Sequence, residues 1–202
     1  MNTNINTNLN TYVEVIDNFL SKEEADSLLE KCNTLELNIM PEVRVFGKVC
    51  HQNRDVKFYS DESSGYKYSG QIAKANALPD FFKPLLEKIN NKYGVKNNGI
   101  LVNRYISKGE RRDYIGDHAD DEKDLSLDGC VYSLSLGGSR ILRFKSKTKD
   151  SNNETKVYNY PTKHGQLLIM KKECQKKFTH GIPKSTKEQD TRYSLTFRTH
   201  TK

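Results

Sequence analysis

The stretch HADDE, residues 118–122, sets one histidine and three consecutive carboxylates in a chain of 202 residues whose formal net charge is +7. Clustered acids repel one another unless a positive centre sits among them. In an extended segment positions i and i+2 point the same way, so His118 and Asp120 offer a nitrogen and an oxygen on one side. Two histidines and one carboxylate commonly hold non-haem iron(II), leaving positions open for a co-substrate and oxygen. The third ligand must then be a distant histidine, and His180, in KKFTHGIP, lies far enough downstream for intervening strands to bring it alongside. By residue type His51, His164 and His200 are equally available, and a zinc hydrolase can use the same ligand set. The HxD pair alone is a weak signal.

A second group of residues bears on the choice of metal. In TRYSLTFR, alternation puts Tyr193, Leu195 and Phe197 on one face of a strand and Arg192, Ser194, Thr196 and Arg198 on the other. Taken alone, this is a half-buried strand with its polar face in water. Beside an iron site it has another reading, because oxygen activation needs a two-electron reductant. The common one, 2-oxoglutarate, carries two carboxylates that need charge-assisted partners. Arg192 and Arg198 stand roughly 20 Å apart along an extended strand, and two long side chains reaching toward each other can grip both ends of a small diacid. Asn103 and Tyr105 share a face of their own strand and add neutral hydrogen bonds.

The elements that must position these groups follow from pattern. Residues 1–11 are Asn/Thr-rich and read as a disordered leader. A short strand, YVEVI, precedes Ser21 and Glu24, whose spacing is a capping box opening an amphipathic helix through about Lys31. A second helix follows Pro79 across FFKPLLEKINNKY, and between the helices residues 41–75 read as hairpins. From residue 99 on, GILVNRYI, CVYSLSL, RILRFK, KVYNYP, GQLLIM, FTHGIP and YSLTFRT are short strands separated by polar turns, the spacing of a β-sandwich or barrel. A hydrophobic content of 35% suffices for one core. No apolar run approaches a membrane span and the first residues lack a secretory signal. The four cysteines form no CxxC pair. The expectation is an intracellular protein of a reducing compartment, monomeric and without a membrane partner, placed in the nucleus if eukaryotic and otherwise in the cytoplasm. The excess of Lys and Arg points to a polyanionic partner, nucleic acid first.

The run NRYI, IGDHADDE, SLSLGGSRILRF, HGQLLIM, FTHGIP and RYSLTFR, spread over about residues 100–198, resembles the AlkB-type iron(II)- and 2-oxoglutarate-dependent nucleic-acid dealkylases. The resemblance implies a mainly β fold with some α: a double-stranded β-helix, or jelly roll, over residues 99–202, preceded by N-terminal helices and a nucleotide-recognition lid over 12–98, in one compact catalytic domain. It assigns Fe(II) to His118, Asp120 and His180. Asn103, Tyr105, Arg192, Ser194, Thr196 and Arg198 would line the 2-oxoglutarate pocket, with Arg192 on the distal carboxylate and Arg198 toward the metal. Ser194 stands where the family often has asparagine, which weakens that hydrogen bond.

Upstream, PEVRVFGK, Arg54 and GYKYSG are similar to the lid of the family member that repairs double-stranded DNA. Val45, Phe46 and Gly47 then correspond to a finger that enters the duplex, with an apolar wedge offsetting the stacking lost when a base is flipped out. Tyr68 and His118 would sandwich the flipped base and Tyr66 would border it. Asp121 would touch its polar edge, where a carboxylate favours a cationic methylated base over a neutral one. Val56, Cys50 and His51 depart from the pattern near the finger. The stretch KSKTKDSNNETK, residues 145–156, reads as a hairpin insertion whose lysines could hold opposite-strand phosphates. The implied activity is oxidative demethylation of 1-methyladenine- or 3-methylcytosine-type bases in DNA, preferably duplex, with O2 and 2-oxoglutarate consumed and formaldehyde released. The rival readings are an RNA demethylase of the same chemistry, acting on RNA or single strands, and a nucleic-acid-binding module with an inactive metal site.

Overall fold

The computed structural model describes residues 7–45, 47–68, 71–120, 125, 129–149 and 153–200, with backbone alone at 7, 8, 45, 66–68 and 71–73. Two antiparallel sheets face each other. The larger has the order β1 (Val13–Ile16), β12 (Gln166–Met170), β9 (Val131–Gly137), β14 (Gln189–Arg198), β7 (Gly99–Ser107), β4 (Asp55–Tyr59). The smaller has the order β11 (Thr155–Pro161), β10 (Ile141–Lys149), β13 (Phe178–Ile182), β8 (Ile115–His118). Two separate hairpins, β2 (Glu42–Val45) with β3 (Lys48–His51) and β5 (Gly65–Tyr68) with β6 (Gln71–Lys74), stand outside both sheets.

Alternation along the strands of the larger sheet builds two apolar layers. Leu134, Leu136, Tyr193, Leu195, Phe197, Ile100 and Val102 point outward, where Leu28 and Cys32 of α2 (Lys22–Asn33) and Leu85 and Ile89 of α3 (Lys83–Tyr93) cover them. Between the sheets, Tyr105, Leu142, Phe144, Leu168, Met170, Phe178 and Ile182 form the second layer. The capping box that starts α2 is complete: Glu24 N–H donates to Ser21 Oγ at 3.1 Å and Ser21 N–H to Glu24 Oε2 at 2.8 Å. Pro84 falls in the first turn of α3, where a missing N–H costs nothing, and Gly94 ends that helix with a left-handed φ of 64°.

Three expectations need correction. Residues Thr7–Asn10 form a short helix, α1, and Leu9 is buried in the inter-sheet layer, so this part of the expected disordered leader is held by an apolar anchor that composition hides; its residues 1–6 lie outside the described residues. A boundary at residue 99 divides no layers, because β1 and β4 form the two edges of the larger sheet. The hairpin expected over 145–156 is present, but its strands are longer than the expected RILRFK and KVYNYP, since β10 runs to Lys149 and β11 begins at Thr155.

His200 closes the sheet's end with its ring centroid 4.6 Å from that of Phe58. Burial pushes its pKa from 6.5 down to about 4. Between those values the unfolded chain binds the proton and the folded chain does not, so stability falls as pH drops from about 6.5 toward 4. Urea unfolding at pH 7.5 and pH 5 should show His200→Asn losing less stability on acidification than wild type, by on the order of 2 kcal/mol. An equal loss in both would contradict the assignment.

Candidate active site

β8 and β13 pair so that His118 lies directly across from His180, with ring centroids 4.4 Å apart. Gly181 permits this approach: a Cβ there would stand 2.8 Å from the Ile115 carbonyl oxygen, a backbone atom that cannot move aside. Asp120 follows the end of β8 and is fixed by its own N–H, which donates to Gln175 Oε1 at 2.9 Å. That glutamine belongs to α4 (Lys172–Lys177), an element with no signal in the sequence pattern.

The ligand atoms of His118, Asp120 and His180 all lie within 4.8 Å of one another. Asp120 Oδ1 is 3.7 Å from His118 Nε2 and Oδ2 is 3.6 Å from His180 Nε2. These separations exceed hydrogen bonds and suit donors that share one ion. His118 Nδ1 sits 2.9 Å from the Gly116 carbonyl oxygen, a contact that requires Nδ1 to carry the proton and leaves the Nε2 lone pair toward Asp120. Burial drives both histidines toward the neutral, metal-binding form, His180 to about 3 and His118 in the same direction. Burial also works to raise the Asp120 pKa, but Arg198 and the two histidines outweigh it and hold the carboxyl ionised below its usual range. Asp120 Oδ2 has no hydrogen-bond partner among the described residues. A buried carboxylate oxygen in that state is costly, and a cation between it and two neutral imidazoles removes the cost. The residues present fit iron(II).

The opposite wall is β14. Its polar face is buried, with Arg192 2%, Ser194 6%, Thr196 7% and Arg198 5% exposed, so it faces a cavity between the sheets and not bulk water. Cross-strand register sets Arg192 beside Tyr105 and Ser194 beside Asn103. The cavity is lined by the histidines, Asp120 and all six of these polar residues, together with Arg54 and Ser133. Arg198 Nη2 donates to Asp120 Oδ1 at 2.8 Å. Arg192 lies over the Tyr105 ring at 5.5 Å and donates from Nη2 to Ser135 Oγ at 2.9 Å, but its Nε has no partner and no carboxylate pairs with it among the described residues. Burial, and after it the neighbouring Arg140, lowers Arg192 to about 10, which leaves it charged at neutral pH. One buried arginine near the metal and a second, uncompensated, farther along the strand fit a diacid.

A family model, the 2OG-Fe(II) oxygenase superfamily, matches residues 12–198. The chain belongs to this superfamily. Its requirements are Fe(II), 2-oxoglutarate and O2, and the chain falls in its AlkB branch. DNA oxidative demethylase ALKBH2 of Arabidopsis thaliana is 32% identical over 181 residues, covering 78% of this chain and 56% of the relative. The Homo sapiens protein of that name is 32% identical over 187 residues, covering 88% of this chain and 69% of the relative. Alpha-ketoglutarate-dependent dioxygenase alkB homolog 3 of Bos taurus is 29% identical over 189 residues, 90% of this chain and 63% of the relative. The chain thus spans little more than half of the Arabidopsis protein. Among solved structures, that of OsALKBH1 superposes with a TM-score of 0.58 at 17% identity, covering 92% and 97% of the two chains. A Pseudomonas putida prolyl-4-hydroxylase gives 0.57 at 12%, covering 96% of each. Both establish the jelly-roll fold of the oxygenase.

Of the residues expected to meet the substrate, Arg54 is a buried cavity-wall residue whose Nε donates to Asn103 Oδ1 at 2.8 Å. The backbone of Val45, Tyr66 and Tyr68 lies in the two hairpins, and Gly47 has the left-handed φ of 77° that a tight turn requires. Phe46 and Asp121 lie outside the described residues. Ser133, Ser135 and Gln175 were not anticipated. The first two follow from the alternation of YSLSL once its neighbour β14 is known, whereas nothing in the sequence marks Gln175.

In Arg192→Gln the ligand-free oxygenase should unfold at the same or a higher temperature, because an uncompensated buried charge has gone. The stabilisation that 2-oxoglutarate gives the iron-loaded wild type, about 2.7 kcal/mol at one hundred times Kd, should disappear. Thermal shifts over a 2-oxoglutarate series read both, and an undiminished shift in the variant would contradict the role.

Proposed function

We propose that the chain is an oxidative demethylase acting as a monomer on N-alkylated bases in DNA, preferably in duplexes, with the damaged base flipped into the cavity. The observation that carries this reading is the union, in one buried cavity, of the His118, Asp120 and His180 donors with an arginine strand suited to a diacid, in a chain similar to two relatives named DNA oxidative demethylase. Bound iron(II), with 2-oxoglutarate and O2, supplies the oxidising equivalents that hydroxylate an N-methyl group, giving succinate and carbon dioxide; the hemiaminal then breaks down to formaldehyde and the restored base.

The protein's own groups do the rest. His118, Asp120 and His180 hold the metal. Arg192 takes the distal carboxylate of 2-oxoglutarate, which neutralises its buried charge, and Tyr105 and Asn103 orient that end. Arg198 stands at the metal end, where its bond to Asp120 keeps the ligand carboxylate ionised and fixed. Ser194 and Thr196 complete the polar wall, and the apolar side chains of Leu142 and Ile182 limit water beside the reacting carbon. Arg54, braced on Asn103, extends this wall.

Preference for duplexes rests on the hairpin of β2 and β3. It belongs to neither main sheet and all four residues of β3 are exposed; Val45, Phe46 and Gly47 are assigned the wedge that replaces an extruded base on the family resemblance, with Val45 ending β2 and Gly47 preceding β3. Tyr66, Tyr68 and Asp121 are assigned to the base itself, on the family resemblance.

The test is release of succinate and formaldehyde by the iron-loaded protein on an oligonucleotide bearing one 1-methyladenine, compared as duplex, as single strand and as RNA. Faster turnover of the duplex is expected, lost by about ten-fold or more in Phe46→Ala while single-strand turnover persists. Turnover confined to single strands or RNA would remove the duplex assignment, and absence of turnover on all three would remove the demethylase.

A further inference from the structure

The hairpin of β10 and β11 has two faces with different chemistry. On one, Lys145 Nζ pairs with Asp117 Oδ2 at 2.6 Å. On the other, beyond Phe144, β10 presents Ser146 and Thr148 to a groove of about 240 Å3 that is also lined by Tyr12, Tyr158, Phe178, Lys149, Lys156 and Lys177. Phe178 is the buried floor. Tyr12 and Tyr158 stand against it, with ring centroids 5.5 Å and 5.9 Å from its own, and both are half-buried. Lys149, Lys156 and Lys177 are exposed, and among the described residues none of the three makes an ion pair and no carboxylate lines the groove. The nearby Glu173 is already engaged by Lys176 at 2.9 Å.

Three ammonium groups around a wall of aromatic rings, with two hydroxyls between, match one kind of ligand: a planar base flanked by phosphates. Base-on-aromatic stacking and a basic rim together are how single strands are held without regard to sequence. The groove's position fits the same conclusion. Phe144, whose ring centroid is 6.0 Å from that of His180, begins the inner face, and Thr148 lies about 14 Å farther along the strand. We infer that this groove is a second nucleic-acid subsite, outside the catalytic cavity, that on single-stranded substrates takes an unpaired nucleotide a few positions from the damaged base, its base against Tyr12 and Tyr158 and its phosphates on Lys149, Lys156 and Lys177.

The inference rests on the nucleic-acid reading above, and a binding assay on undamaged DNA separates the two. Fluorescence anisotropy of the full iron-loaded chain with a labelled oligothymidylate, at several salt concentrations, gives affinity and salt slope. Replacing Lys149, Lys156 and Lys177 together by Gln should reduce the slope of log K against log salt by about 2, the contribution of three single-strand phosphates. Replacing Lys83, Lys88 and Lys92 of α3 should leave it unchanged. Tyr158→Ala should weaken binding about five-fold or more with the slope retained, while Tyr158→Phe keeps wild-type affinity. If the groove variants bind as wild type while methylated substrates are still turned over, the subsite falls and the demethylase stands. If wild type binds no strand and releases no formaldehyde from methylated DNA, both fall.

Discussion

Everything in the cavity is arranged around one buried carboxylate. Asp120 is ionised, almost wholly removed from water and only partly satisfied: Arg198 takes one oxygen and no donor among the described residues meets the other. A fold tolerates such a group only if a positive charge compensates it. Here the compensation is divided between a fixed arginine from the larger sheet and the ion that two neutral histidines of the smaller sheet can share. The two sheets are therefore joined electrostatically at the point where the chemistry takes place.

That constraint explains features that are otherwise unrelated. Gly181 lets β8 approach β13 closely enough for the histidines to face each other. α4 contributes little to the core, yet its Gln175 fixes the backbone of Asp120. The outer face of β14 is apolar and packed under α2 and α3, which frees its inner face for Arg192 and Arg198. Arg192 has the opposite problem from Asp120, a buried cation that no carboxylate pairs with among the described residues, and the same remedy, an external partner of opposite charge. Iron would complete the partial compensation of Asp120 and a diacid would supply the anion for Arg192.

Much of this was legible in the chain. Ser21 and Glu24 fixed the start of α2, and each expected strand from residue 99 onward has its counterpart. His118, Asp120 and His180 are brought together as their order suggested, and the parity of TRYSLTFR correctly separated the residues under the helices from those in the cavity. Parity alone could not say whether the polar face met water or a cavity, because periodicity reports two environments without naming them. The short elements were the least visible. Six residues of KECQKK are below the length at which a helix is stable alone, and β8 has four residues, so both depend on tertiary contacts. Leu9 was concealed by its polar surroundings. Arg54, expected at the substrate, lies in the cavity wall with its Nε on Asn103, a bond that follows from the pairing of β4 with β7 and from nothing local.

The most direct measurement is an anaerobic calorimetric titration of iron(II) into the metal-free protein and into Asp120→Asn, with circular dichroism to verify that the variant keeps its fold. One iron per chain is expected in the wild type and no measurable binding in the variant, whose neutral amide cannot compensate the ion. Equal iron binding by the folded variant, or none by the wild type, would contradict the claim that the Asp120 charge organises the site.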